Sequence, residues 1–188
     1  VLLIGLAGRA RSGKDTAAAY LAERYGLVSM AFAAPIKEMV GVLLGVPAQA
    51  LDGVLKEEPL EGLGVSPRAL YQTLGTEWGR ELVHPDLWQW VAERRLLMLE
   101  LAGGTRYAGV VFSDVRFPNE AAWIRARGGT VVHIVRPEAP AVRAHVSELG
   151  LEVEPGDLVV RNDDTLETLH ARLDGVMALL RERREATA

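Results

Sequence analysis

The chain has 188 residues, a formal net charge of −4, 49% hydrophobic and 24% charged residues, and no cysteine. That composition fits one globular domain with a substantial core; it excludes disulfides and thiolate metal sites and offers no basic field for a nucleic-acid backbone. No apolar run reaches membrane-spanning length, and V-L-L-I-G-L-A lacks the flanks of a signal peptide, so a cytoplasmic chain with no membrane and no nucleic-acid partner is expected.

Val1 to Leu6 is a short apolar run of the kind that forms a central parallel strand. Gly8 to Gly13 follows as a loop, and D-T-A-A-A-Y-L-A-E-R-Y opens a helix that Gly26 ends. V-S-M-A-F, at 28–32, reads as a second strand. Pro35 then starts a helix, at a position where its missing N–H costs nothing. Residues 45–65, rich in Gly, Pro and acids, read as a surface excursion. Two helical stretches follow Pro67, the first with Ser66 as N-cap. G-V-V-F-S is a buried strand ending at Asp114. Pro118 to Arg127 is a helix and T-V-V-H-I-V the next strand. A polar segment from Arg136 to Pro155 precedes the strand D-L-V-V-R, and an amphipathic helix runs from about Thr165. Strands alternating with helices predict an α/β fold, a parallel five-stranded sheet with helices on both faces.

G-R-A-R-S-G-K-D-T, Gly8 to Thr16, has the spacing of a phosphate-binding loop, except that Asp15 occupies the usual Ser/Thr position. The match lies between a buried strand and a helix, the context that chemistry requires. There backbone N–H groups and the helix N-terminus cradle phosphate oxygens while Lys14 reaches the β and γ groups. Asp15 has two readings. A carboxylate is a hard donor that Mg²⁺ accepts directly or through water; an acid in the first helical turn also complements the dipole without any metal. Thr16 supplies a hydroxyl for the α-phosphate. Asp114 and Arg116 form D-x-R at a strand end, on the sheet edge where open α/β folds bind ligands. Asp114 is thereby a second candidate for the metal. His133 and His145 lack metal-site spacing and read as structural.

With these residues in place the chain resembles the deoxynucleoside monophosphate kinases of tailed bacteriophages, including the T-even type. The resemblance rests on G-x-x-R-S-G-K-D-T at Gly8–Thr16, A-P-I-K at Ala34–Lys37 and R-x-L-x-Q-x-L-G-T at Arg68–Thr76. It continues through Trp88, D-x-R at Asp114–Arg116 with Glu120, and G-x-T-V-x-H-I-V-R-P at Gly128–Pro137. H-x-x-E-x-G-L at His145–Leu151 and G-D-L-V-x-x-N-D at Gly156–Asp163 complete it. Two departures stand out. Ala10 replaces a basic residue of the T-even form, and the chain is shorter between Lys37 and Arg68.

The resemblance implies a P-loop kinase fold, with a helical acceptor-binding portion at about 34–105 and a lid-like segment at about 136–155. It implies transfer of the ATP γ-phosphoryl group to a deoxynucleoside monophosphate, with ATP and Mg²⁺ required; separately from the resemblance, a homodimer is the candidate assembly. Carried over by position, Gly8, Arg11, Ser12, Gly13, Lys14, Asp15 and Thr16, with Arg136 and Asn162, belong to the ATP side. Lys14 and Arg11 carry the catalytic charge stabilisation, and Asn162 is placed to touch the adenine. Lys37, Arg68, Gln72, Gly75, Thr76, Trp88, Asp114, Arg116 and Glu120 belong to the monophosphate pocket. Gln72, one turn beyond Arg68, is positioned to read a base edge; Trp88 is the expected stacking platform. Glu120 either bonds the substrate or sits as an acid at a helix start. Arg136 and Arg143 flank the lid. The alternatives are another small-molecule P-loop kinase, similar to dephospho-coenzyme A kinase, or a nucleotide-binding regulator without acceptor chemistry.

Overall fold

The computed structural model describes residues 2–51, 53–101, 107–137 and 151–186. Two compact units are present, one formed by residues 1–31 and 104–188, the other by 32–103.

The first unit is built on a parallel sheet of β1 (Leu2–Ala7), β2 (Leu27–Met30), β3 (Gly109–Val115), β4 (Thr130–Val135) and β5 (Leu158–Arg161) in the order β2-β3-β1-β4-β5. Alternation along each strand divides the apolar side chains between two faces. Ile4, Leu6, Val111, Val132, Ile134 and Val160 meet Ala17, Ala18 and Leu21 of α1 (Lys14–Tyr25). The same core takes Leu169, Leu173, Val176, Met177 and Leu180 of the last helix (Leu166–Glu185), a 3.6-period stripe. On the opposite face the helix Pro118–Ala126 buries Ala121 and Ile124, and its Trp123 meets Phe112 edge-on at 5.6 Å. Strand β2 is shorter than expected: its pairing with β3 ends at Met30, and Phe32 already belongs to the helical unit.

Helix α1 ends as the sequence predicts, with Gly26 left-handed and its N–H donating to the Ala22 carbonyl. The last helix begins at Thr165, whose Oγ1 accepts from the Thr168 N–H at 3.2 Å. Each cap satisfies a backbone group that the helix end would otherwise leave open.

The second unit is helical: α2 (Ala34–Leu44), short 3₁₀ turns at Ala48–Leu51 and Gly53–Lys56, α3 (Pro67–Gln72), a π-helical segment (Thr73–Val83) and α4 (Leu87–Leu101). In chain order the helices of the sheet unit after α4 are α5 (Pro118–Ala126) and α6 (Leu166–Glu185). Ser66 caps α3 through its Oγ, which accepts from the Ala69 N–H at 3.3 Å. The helical stretch after Pro67 changes character at Thr73. Gly75 and Gly79 weaken the α preference there, and both are buried against large side chains. A methyl at Gly79 would lie 2.5 Å from the Trp88 ring, and one at Gly75 would lie 3.0 Å from Ile36.

Candidate active site

The loop after β1 is shaped by backbone rather than by side chains. Gly8 has φ +143°, and a Cβ there would come within 2.4 Å of the Ile134 carbonyl at the end of β4. Gly13, at φ +99°, is the N-cap of α1 and supplies no side-chain cap, so the first N–H groups of the helix remain directed out of its end. Among the described residues Arg11 alone combines a side chain with positive φ, +61°, a conformation that costs about 1 kcal/mol and persists where surrounding structure enforces it. Ser12 is 1% exposed and its Oγ has no hydrogen-bond partner in the protein. A buried hydroxyl without a partner, open helix N–H groups and two left-handed turns form a cradle that suits polyphosphate oxygens.

Lys14 is buried, and its Nζ donates to the carbonyls of Gly8 and Arg9, both at 2.8 Å. The ammonium therefore lies across the inside of the loop. Asp15 and Thr16 are exposed on the first turn of α1, so the Asp15 carboxylate stands beside the positive end of the helix dipole. Among the described residues no group of three or more His, Asp or Glu side chains is arranged to hold a metal. A site of one or two carboxylates completed by phosphate oxygens is the usual Mg²⁺ arrangement, and Asp15 and Asp114 suit that role chemically.

Asp114 stands at the end of β3, the strand beside β1. The β1–β3 register steps from Gly5 opposite Phe112 to Ala7 opposite Val115, so Ser113 and Asp114 together oppose Leu6. This bulge at the carboxyl edge of the sheet re-aims the strand end. The turn that follows is pinned by Glu120, which is 1% exposed. Its Oε2 accepts from the N–H of Arg116 at 2.8 Å and of Phe117 at 3.1 Å. Of the two sequence readings of Glu120, the structure displays the helix-start acid. Its carboxylate holds the backbone that carries Arg116, which is half-buried.

Arg136 is exposed after β4; Arg143, His145 and positions 138–150 of the lid-like segment lie outside the described residues. Asn162 touches the loop directly, its Nδ2 donating to the Ser12 carbonyl at 2.9 Å. His133 is buried, with Nε2 3.0 Å from Asp157 Oδ2. Burial pushes the Asp157 carboxyl up, but hydrogen bonds from Arg125, the Glu154 N–H and His133 outweigh it and hold the group at about 2. Sequence reading missed this network, because Arg125 and Asp157 are 32 positions apart.

In the helical unit, Lys37 is half-buried in the first turn of α2, and Arg68 and Gln72 are half-buried on α3. Arg68 Nε donates to Glu57 Oε1 at 2.5 Å, in a partly exposed pair of the kind worth little in water. Trp88 corrects an expectation. It is 2% exposed, its Nε1 donates to the Gly75 carbonyl at 2.7 Å, and its ring packs on Gly79. A stacking platform needs an open ring face, and Trp88 has none; it is a core residue that fixes the Gly75–Gly79 turns. Arg80 Nη1 shares the Gly75 carbonyl at 2.7 Å. The half-buried Thr76 follows directly. Trp78 and Trp90 are exposed, and the Arg94 guanidinium lies 5.0 Å from the Trp90 ring centroid.

Residues 2–66 and 61–173 match the family profile described as deoxynucleotide monophosphate kinase. The chain belongs to this kinase family. A relative from Acanthamoeba polyphaga mimivirus is 34% identical over 182 residues, spanning 92% of this chain and 94% of that one. The deoxynucleotide monophosphate kinase of Enterobacteria phage T4 is 27% identical over 243 aligned positions, covering 95% of this chain and 99% of its own. That alignment is longer than this chain, so the phage enzyme carries segments absent here. The crystal structure of TT1252 from Thermus thermophilus shares the fold, with a TM-score of 0.50, 22% identity and coverage of 95% and 97%. The fold of this family member is the α/β P-loop kinase fold.

Proposed function

We propose that this chain transfers the γ-phosphoryl group of ATP to a deoxynucleoside 5′-monophosphate, releasing ADP and the deoxynucleoside diphosphate. The observation that carries this reading is the backbone-built cradle from Gly8 to Thr16, with the unpartnered Ser12 hydroxyl and Lys14 inside it, on a chain of the deoxynucleotide monophosphate kinase family.

In this reaction an oxygen of the acceptor phosphate forms a bond to the γ-phosphorus, and the bond from that phosphorus to the β–γ bridging oxygen breaks. The acceptor oxygen is already anionic, so no general base is required. Alignment and charge neutralisation carry the catalysis. Lys14 exchanges its loop carbonyls for phosphate oxygens, and Arg11 places its guanidinium at the loop surface. Ser12 and the N–H groups of Gly13 to Thr16 bind oxygens of the donor. In the sheet unit Arg116 is assigned to the acceptor phosphate; in the helical unit the family positions assign Lys37 and Arg68 to a phosphate and Gln72 to the base. Asp15 and Asp114 would hold Mg²⁺, directly or through water, and the ion would supply neutralisation of the β and γ charges.

The proposal includes a cytoplasmic setting and a homodimer. Met39, Val42 and Leu43 are exposed on α2, with Val46 just beyond its end, and Met98 and Leu101 are exposed on α4. A second copy of the chain is the occupant that would cover them, and sedimentation velocity tests it.

The deciding assay couples ADP release to turnover with dGMP, dTMP, dCMP, dAMP and dephospho-coenzyme A as acceptors. Turnover with at least one deoxynucleotide is the expected result. Turnover confined to dephospho-coenzyme A, or ATP binding without any turnover, would overturn the reading.

A further inference from the structure

Asn162 stands immediately after β5 and 150 positions from the loop it touches. Its own N–H donates to the Val135 carbonyl at 2.8 Å, which ties it to the end of β4. The residues beside it are also secured: Asp163 accepts from Arg161 Nε at 2.9 Å and from Arg172 Nη1 at 2.7 Å, and Arg172 bonds the Arg161 carbonyl. The side chain of Asn162 is therefore presented from a braced backbone.

That side chain meets the loop at its least constrained joint. Nδ2 donates to the Ser12 carbonyl at 2.9 Å, and a Cβ on Gly13 would lie 2.4 Å from the same nitrogen. The Ser12 carbonyl and the Gly13 N–H belong to one planar peptide group, so holding the oxygen fixes the direction of the N–H. Without such a hold that peptide would turn freely, because Gly13 has no Cβ to restrict it.

We propose that Asn162 is a positioning residue of the phosphate-binding loop: by holding the Ser12 carbonyl it keeps the Gly13 N–H directed at donor phosphate oxygens, whatever base the donor carries. This differs from an adenine contact, and it rests on the donor-site reading above. The Nδ2 donor is essential to it. An Asp at 162 has the same shape but turns a carboxylate oxygen toward the Ser12 carbonyl.

Calorimetric titration with ATP, GTP and inorganic tripolyphosphate, each with Mg²⁺, separates the cases. Asn162→Ala is expected to weaken all three by about three- to tenfold, the worth of one hydrogen bond, and Asn162→Asp by more. Thr165→Ala, which loosens the start of α6 and lowers the melting temperature, is expected to leave tripolyphosphate affinity unchanged. Wild-type tripolyphosphate affinity in Asn162→Asp would overturn the proposal. So would a loss confined to ATP, or an equal loss in Thr165→Ala. A wild-type chain that binds triphosphates, loses them in Asn162→Asp, yet turns over no monophosphate would sustain this inference and sink the kinase reading. A wild-type chain that binds no triphosphate overturns both.

Discussion

In the sheet unit the candidate residues are held by backbone, whereas in the helical unit they ride on long side chains. Gly8, Ser12 and Gly13 owe their positions to left-handed turns and to the carbonyl of Ile134, and Arg116 to two N–H bonds on a buried carboxylate. Lys37, Arg68 and Gln72 extend half-buried from α2 and α3, while the neighbouring π-helical segment is fixed by Trp88 on Gly75 and Gly79. A cradle for a polyphosphate shared by all donors suits rigid backbone. A surface that meets different bases suits side chains that can be exchanged without disturbing the frame.

Four predictions would break or sharpen this contrast. The largest effect is expected from Lys14→Ala, which should lower kcat by about 10²- to 10³-fold, the scale of losing one group that stabilises transition-state charge. Its far-UV circular dichroism should match wild type, and near-normal turnover would remove the cradle from the mechanism. Arg116→Ala should raise the acceptor KM by about tenfold or more, the worth of a charged hydrogen bond, and move the ATP KM little. If both constants rose together, the strand-end arginine would belong to the donor side.

A smaller effect tests the helical unit. Gly79→Ala forces a methyl against the Trp88 ring, where only 2.5 Å separates the atoms, and should destabilise the protein by about 1–3 kcal/mol. Glu81→Ala, exposed on the same π-helical segment, should change stability by less than about 0.5 kcal/mol. Tryptophan fluorescence in urea reads both. Equal midpoints for the two variants would show that the ring does not depend on Gly79.

The last prediction concerns acid. Asp157 titrates at about 2 in the folded chain against an ordinary 3.8. A folded value below the unfolded one means that its stabilisation is complete above about pH 4 and disappears as the pH falls toward 2. The contribution is on the order of 1–2 kcal/mol after allowance for solvent screening. Asp157→Asn should therefore be less stable than wild type at pH 6, with the gap narrowing below about pH 4 and closing only as the pH reaches about 2. A gap of constant size would mean that the Arg125–Asp157–His133 network is held by packing rather than by charge.

Much of the fold was legible because its signals are local. The apolar run before Gly8 and the helix start after it placed the loop, Ser66 and Thr165 announced their helices, and Gly26 closed α1 in the left-handed turn expected of it. The limits appear wherever a side chain's role depends on a distant partner. Trp88 reads as a platform from its motif and is a buried strut because Gly79, nine positions earlier, leaves room for its ring and the Gly75 carbonyl accepts its N–H. The π-helical turns at 73–83 contain both glycines and were not signalled by the sequence pattern. Asn162 reads as an adenine contact from its position after the last strand, yet its amide is bonded to Ser12.

By itself the sequence determined the order of elements, the phosphate-loop backbone and the family motif, since these depend on glycine placement, apolar spacing and end caps within a few residues. Only the tertiary structure decided which polar and aromatic side chains are bonded to other parts of the chain. Glu120, Trp88, Asp157 and Asn162 are all engaged by protein groups. Such engagement arises where folding removes a group from water and another part of the chain must satisfy it.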